Sequence, residues 1–189
     1  MTTVAIILHV LFILCLTSSV VTRAVGLVKA DDKPIQKIWI PAIFGLSQGV
    51  LALLGYGIGS LIDHLITYIA EYVVFAMMVV VAIKLFVDAI GAMKGKILYT
   101  INKEIDIILL SILAAINTFL YSLVSVFFAP LGITWFFVAV TLAGFLWAFI
   151  IMRKEFSPGM IKKVSFIEFS AAVFMVILAI LYLFTDMMK

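Results

Sequence analysis

The sequence predicts an all-α, polytopic membrane protein: six transmembrane helices arranged as two inverted three-helix repeats. Three observations lead there. Of 189 residues, 66% are hydrophobic and only 12% are charged, which leaves too little polar surface for a soluble domain of this size. The apolar residues fall into six long blocks, at residues 4–22, 36–62, 66–91, 105–128, 132–152 and 164–186. Each block can cross about 30 Å of hydrocarbon at about 1.5 Å per residue. The basic residues, finally, collect between alternate blocks.

Taken in order, the first segment lacks a basic leader region and a small-residue cleavage site, so it reads as a retained helix and not as a signal peptide. The stretch from Arg23 to Lys37 reads as a loop, with two acids, four basic residues and Pro34. The second segment runs from Phe44-Gly45 through Gln48 to Gly55-Tyr56-Gly57-Ile58-Gly59 and turns at Asp63-His64. The third carries Glu71, Lys84 and Asp88. Lys94 to Asp106 reads as a polar loop, Ala129-Pro130-Leu131-Gly132 as a tight turn, and Arg153 to Lys163, with Ser157-Pro158-Gly159, as a basic loop.

Eleven of the thirteen basic residues fall in the first, third and fifth loops. The positive-inside rule makes that face cytoplasmic and places both termini on the other side. The setting expected is a cell membrane, a bacterial inner membrane in particular. The net charge of +3 therefore reports topology, and no nucleic-acid partner is expected. Cys15 is the only cysteine, which excludes an intrachain disulfide and a cysteine metal cluster. No cofactor and no enzymatic activity are expected. Gly45-Leu46-Ser47-Gln48-Gly49 fits the G-x-S-x-G pattern, but that motif needs a strand-to-helix elbow, and here it lies inside an apolar helix.

A faint repeat relates residues 1–92 to residues 104–189 within a single domain, 1–189. Glu71, Met78-Val79 and Ala82-Ile83 recur 97 residues later as Glu168, Met175-Val176 and Ala179-Ile180. Three helices per half is an odd number, so the second half is inverted. Inverted repeats of this kind are a transporter architecture with a site near the midplane.

Polar groups inside such helices are costly and point to function. Asn117, deep in the fourth segment, can coordinate a cation or bond across helices. Thr17, beside Ser18 and Ser19, can line a pathway or bond back onto its own helix. Gln48, flanked by Gly45 and Gly49, can line the same pathway or serve close helix packing. Lys84 and Asp88 are spaced i, i+4 and form a supporting charged pair. Glu71 and Glu168 would stand one near each mouth of the pathway, or simply be solvated at the interfaces. His9 and His64 have no metal-ligand spacing.

Phe44-Gly45, Gln48, the Gly55-Tyr56-Gly57-Ile58-Gly59 run, and Lys84 with Asp88 resemble the second and third helices of the small six-helix manganese efflux pump family (MntP, within the LysE-type exporter superfamily). The resemblance covers most of the chain in length and topology and is sharp over about forty residues. It implies alternating-access export of a divalent cation, with manganese as substrate. That family carries an Asp in the first helix and another in the fourth, thought to hold the cation. The matching positions here are Cys15-Leu16-Thr17 and Ala115-Ile116-Asn117. Thr17 and Asn117 would then stand at the ligand positions and offer only neutral oxygens, whereas hard divalent cations prefer carboxylates. Two functions follow: a secondary transporter driven by an ion gradient, or a non-transporting subunit or scaffold that kept the fold. The partners expected are the lipid bilayer, a cation, and a membrane-protein partner or second copy.

Overall fold

The computed structural model describes residues 3–30, 38–94, 104–127, 133–154 and 157–187. All regular structure among them is helical. The helices are α1 (Thr3–Leu16), α2 (Ser19–Ala30), α3 (Trp39–Ile66), α4 (Ala70–Met93), α5 (Glu104–Ser122), α6 (Ile133–Met152) and α7 (Pro158–Met187). A 3-10 turn, Thr67–Ile69, joins α3 to α4. Five helices, α3 to α7, are long and apolar enough to cross a membrane, and α1 with α2 passes the same test as a pair bent by 45°, a broken span or a re-entrant loop. The chain is a multi-pass helical membrane protein.

The bend follows from the residues that occupy it. Hydroxyl side chains compete with the backbone for helix hydrogen bonds. Thr17 Oγ1 donates to the Ile13 carbonyl at 2.9 Å and Ser18 Oγ to the Cys15 carbonyl at 2.7 Å. The backbone tightens to i−3 bonds at the same place, from Ser18 to Cys15, Val20 to Thr17 and Val21 to Ser18. Beyond the bend the helix continues through Arg23 to Ala30. The expected loop beginning at Arg23 is therefore corrected: Val20, Val21, Ala24, Val25, Leu27 and Val28 are all buried and hold this stretch in the bundle. At the other end of the chain α7 begins at Pro158, where a helix tolerates proline in its first turn. That is six residues ahead of the expected start.

Small residues set the closest approaches. A Cβ on Gly144 of α6 would lie 2.6 Å from Gln48 Cγ, and one on Gly45 would lie 2.8 Å from the Thr141 carbonyl of α6. Gly55 faces the Phe119 carbonyl at 2.5 Å, and Gly59 faces the Leu123 carbonyl, both at the end of α5. Thus α3 is locked to α5 and α6, while α4 pairs with α7. Helix α2 lies between these two groups and touches α4, α5, α6 and α7.

The buried apolar residues form two cores. One holds Phe12, Leu16, Ala52, Val81, Tyr121, Val140 and Met175. The other holds Val20, Val25, Phe44, Leu110, Ala148 and Val164. The α1/α2 pair and helices α3, α5, α6 and α7 pass from one core to the other, and each does so at a polar or small residue: Thr17–Ser19, Gln48, Asn117-Thr118, Gly144 and Glu168. A polar layer therefore crosses the bundle. It lies about eight to thirteen residues from the helix ends on the basic side, or ~12–20 Å, near the middle of a hydrocarbon layer ~30 Å thick. Outward faces are apolar: on α3, Leu46, Val50, Leu53 and Leu61 are exposed, as lipid contact requires.

Candidate functional site

The polar layer has a neutral half and a charged half. In the neutral half, α5 supplies most of the groups. Gln48 of α3 donates from Nε2 to the Ala114 carbonyl at 3.3 Å, and its Oε1 accepts from Thr118 Oγ1. Ser19, the first residue of α2, donates to the same Ala114 carbonyl at 2.6 Å. Ser47 and Ser111 share a 2.7 Å bond one turn away. Gln48 is fully buried with both ends of its amide engaged, so it clamps α3 onto α5.

Asn117 differs. It is fully buried, yet neither Nδ2 nor Oδ1 has a hydrogen-bond partner. Leaving buried polar atoms unsatisfied costs ~1–3 kcal/mol each. Its height is fixed by its neighbours at i−3 and i+4. Ala114 receives Ser19, just after the bend, and Tyr121 packs on Phe12, just before it, with ring centroids 4.2 Å apart. Residues three and four apart share one helix face, so Asn117 stands at the level of the α1/α2 break. Thr17 is fully buried at that break, its hydroxyl turned back onto Ile13. Sequence reasoning named Asn117, Thr17 and Gln48 as pathway residues, and all three lie in this layer.

A cavity of about 360 Å³ reaches the break from between α1, α6 and α7, lined by Leu14, Cys15, Ser18, Trp147, Ile167 and Ser170 among others.

The charged half lies between α2, α4 and α7. Asp88 Oδ2 accepts from Lys84 Nζ at 2.8 Å, one turn back on α4, and from Arg23 Nη2 of α2 at 3.2 Å. Glu168 of α7 is fully buried, and the side-chain donor nearest its carboxylate is the Thr22 hydroxyl of α2, outside good hydrogen-bond geometry. Arg23, Lys84 and Asp88 lie within its electrostatic reach. Arg23 Nε is buried without a hydrogen-bond partner.

The two glutamates expected to flank a pathway take different surroundings. Glu71 is exposed in the first turn of α4. Glu168 lies ten residues into α7, about 15 Å from its start. The early start of α7 at Pro158 accounts for that depth. His64 is exposed beside Asp63, with 3.7 Å between Nδ1 and Oδ1, and the His9 side chain lies outside the described residues. Among the described residues, no cluster of three His, Cys, Asp or Glu could hold a metal ion.

Sequence reasoning missed Arg23, Thr22 and Thr118, and named Ser19 only as a neighbour of Thr17. For Arg23 the signal was the apolar run from Ala24 to Val28, which continues past the charge. No protein-family model, no curated protein and no solved structure matches this chain.

Proposed function

We propose that the protein is a secondary transporter of a small cation, with its substrate site at the α1/α2 break beside Asn117. The observation that carries this reading is the fully buried Asn117 amide, unpartnered and level with an intramembrane helix break. Broken helices in membrane proteins are tolerated where they line a cavity or a binding site. The packing also favours two inverted halves. Under a three-plus-three division, α3 and α6 are counterparts, as are α4 and α7, and each counterpart pair is in extensive contact. One departure stands: α5 runs unbroken through Asn117, while its counterpart is bent.

Manganese is the substrate suggested by the resemblance of the second and third helices to manganese efflux pumps. With neutral oxygens at this level, a Mn²⁺ ion would cross with much of its water shell retained. Alternating access would come from movement of the α4/α7 pair against the group of α3, α5 and α6 about the layer. The basic loops would face the cytoplasm.

The reading of a non-transporting subunit is favoured by one observation: Gln48 is fully engaged and packed against Gly144, so this part of the layer is a close-packed clamp. Cell manganese in an efflux-deficient host separates the two. Under the transport reading, expression of the protein lowers cell manganese under Mn²⁺ stress, and Asn117→Ala abolishes the effect. If only Thr17→Asp/Asn117→Asp works, the scaffold transports but its native site does not take manganese. If neither works despite full membrane expression, manganese export is excluded.

A further inference from the structure

Two cations and two carboxylates meet in the charged half of the layer, and they are shared unequally. Asp88 holds both Lys84 and Arg23 on one oxygen, while Glu168, more deeply buried, is paired with neither and has only the Thr22 hydroxyl close by, outside good hydrogen-bond geometry. A carboxylate buried without a cation or well-formed hydrogen bonds is costly as an anion. The cost vanishes if the group carries a proton or gains a cation.

Both routes are built into this cluster. Lys84 belongs to Asp88 by helix geometry, four residues away on the same face. Arg23 comes from another helix at the longer distance of 3.2 Å, keeps an unpartnered Nε, and has its charge within electrostatic reach of Glu168. Arg23 is thus the replaceable partner of Asp88.

We infer that Glu168 is a reversible proton-binding site, and that loss of its proton draws the Arg23 guanidinium from Asp88 to Glu168. No covalent bond changes. The proton leaves to water, Arg23 keeps its charge, and Lys84 remains to balance Asp88. The titratable groups facing Glu168 are Arg23 from α2 and Lys84 and Asp88 from α4, while α1 contributes Cys15 near this level of α7. Arg23 lies only four residues, ~6 Å, beyond Ser19 in the short helix α2. Its movement therefore acts directly on the helix that begins at the break. This provides a physical link between a proton gradient and the substrate site. The link rests on the transporter reading, whereas the proton site itself is testable without it.

The test is infrared difference spectroscopy of the full-length protein in lipid as buffer pH is stepped, followed by manganese flux in the same vesicles. The expected result is a carbonyl stretch of a protonated carboxylic acid that comes and goes reversibly as the pH is stepped and is absent from a folded Glu168→Gln variant. In Asp88→Asn, Arg23 is free for Glu168, so the band is weaker at the same pH. Absence of the Glu168 band at every pH overturns the inference, even if the protein moves manganese. An unchanged band in Asp88→Asn overturns the Arg23 exchange. A band with no manganese flux leaves the proton site standing and removes the transport reading. In a protein that transports, flux driven by a proton gradient must become insensitive to that gradient in Glu168→Gln.

Discussion

Asn117 and Gln48 are the same kind of group at the same depth in different states, and their substitutions should separate. Gln48 makes two hydrogen bonds between helices. Gln48→Leu leaves the Thr118 hydroxyl without this partner and should lower stability by about 0.5–2 kcal/mol in a thermal or denaturant series in detergent. Asn117 makes none. Asn117→Leu, of similar volume, should leave stability unchanged or raise it by about 1–2 kcal/mol, because an unsatisfied amide is replaced by an apolar group. A stability loss in Asn117→Leu as large as that in Gln48→Leu would show that the amide is bonded. At this scale the sequence identified the polar residues but not their partners. A lone Asn and a lone Gln in apolar helices look alike until the register of α3 against α5 is known.

The glycines of α3 show what an element-level reading can and cannot give. The Gly55-Gly57-Gly59 run reads from sequence as one packing feature, yet only two of the three glycines face a neighbour. A Cβ at Gly55 or Gly59 would meet backbone atoms at the end of α5, which cannot move cheaply, whereas one at Gly57 meets nothing within 4 Å. Gly55→Ala and Gly59→Ala should each destabilise by ~1–3 kcal/mol. Gly57→Ala should be neutral or stabilise slightly, since alanine is the better helix former. Melting temperatures of the three variants decide this, and equal losses at all three would contradict the packing. The break between α1 and α2 was less legible. Thr17-Ser18-Ser19 marked it, but hydroxyls that bond back onto the helix also occur in unbroken spans. Arg23 was misplaced because a charge normally ends a membrane helix. Here Asp88, from a helix distant in sequence, supplies the opposite charge that holds it in the bundle.

On the scale of the whole molecule, the hydropathy blocks made five long apolar helices and the bent α1/α2 pair legible, because membrane burial demands length and apolarity before any specific contact. The polar layer was not legible as a layer, since it exists only when Thr17, Gln48, Asn117 and Glu168 come to one depth. Orientation follows from charge. Single cysteines placed near Lys154 and near Asp63, with Cys15 replaced by Ser, should react with impermeant reagents from opposite sides of the membrane, Lys154 from the cytoplasm. Labelling of both from one side would contradict the six-span topology.

Manganese uptake into proteoliposomes, with parent protein compared with folded Asn117→Leu, tests the transport claim most directly. The account predicts uptake above protein-free vesicles for the parent and its loss in the variant at unchanged stability. Equal uptake by both proteins would contradict a site at Asn117, and no uptake by the parent would contradict manganese transport itself.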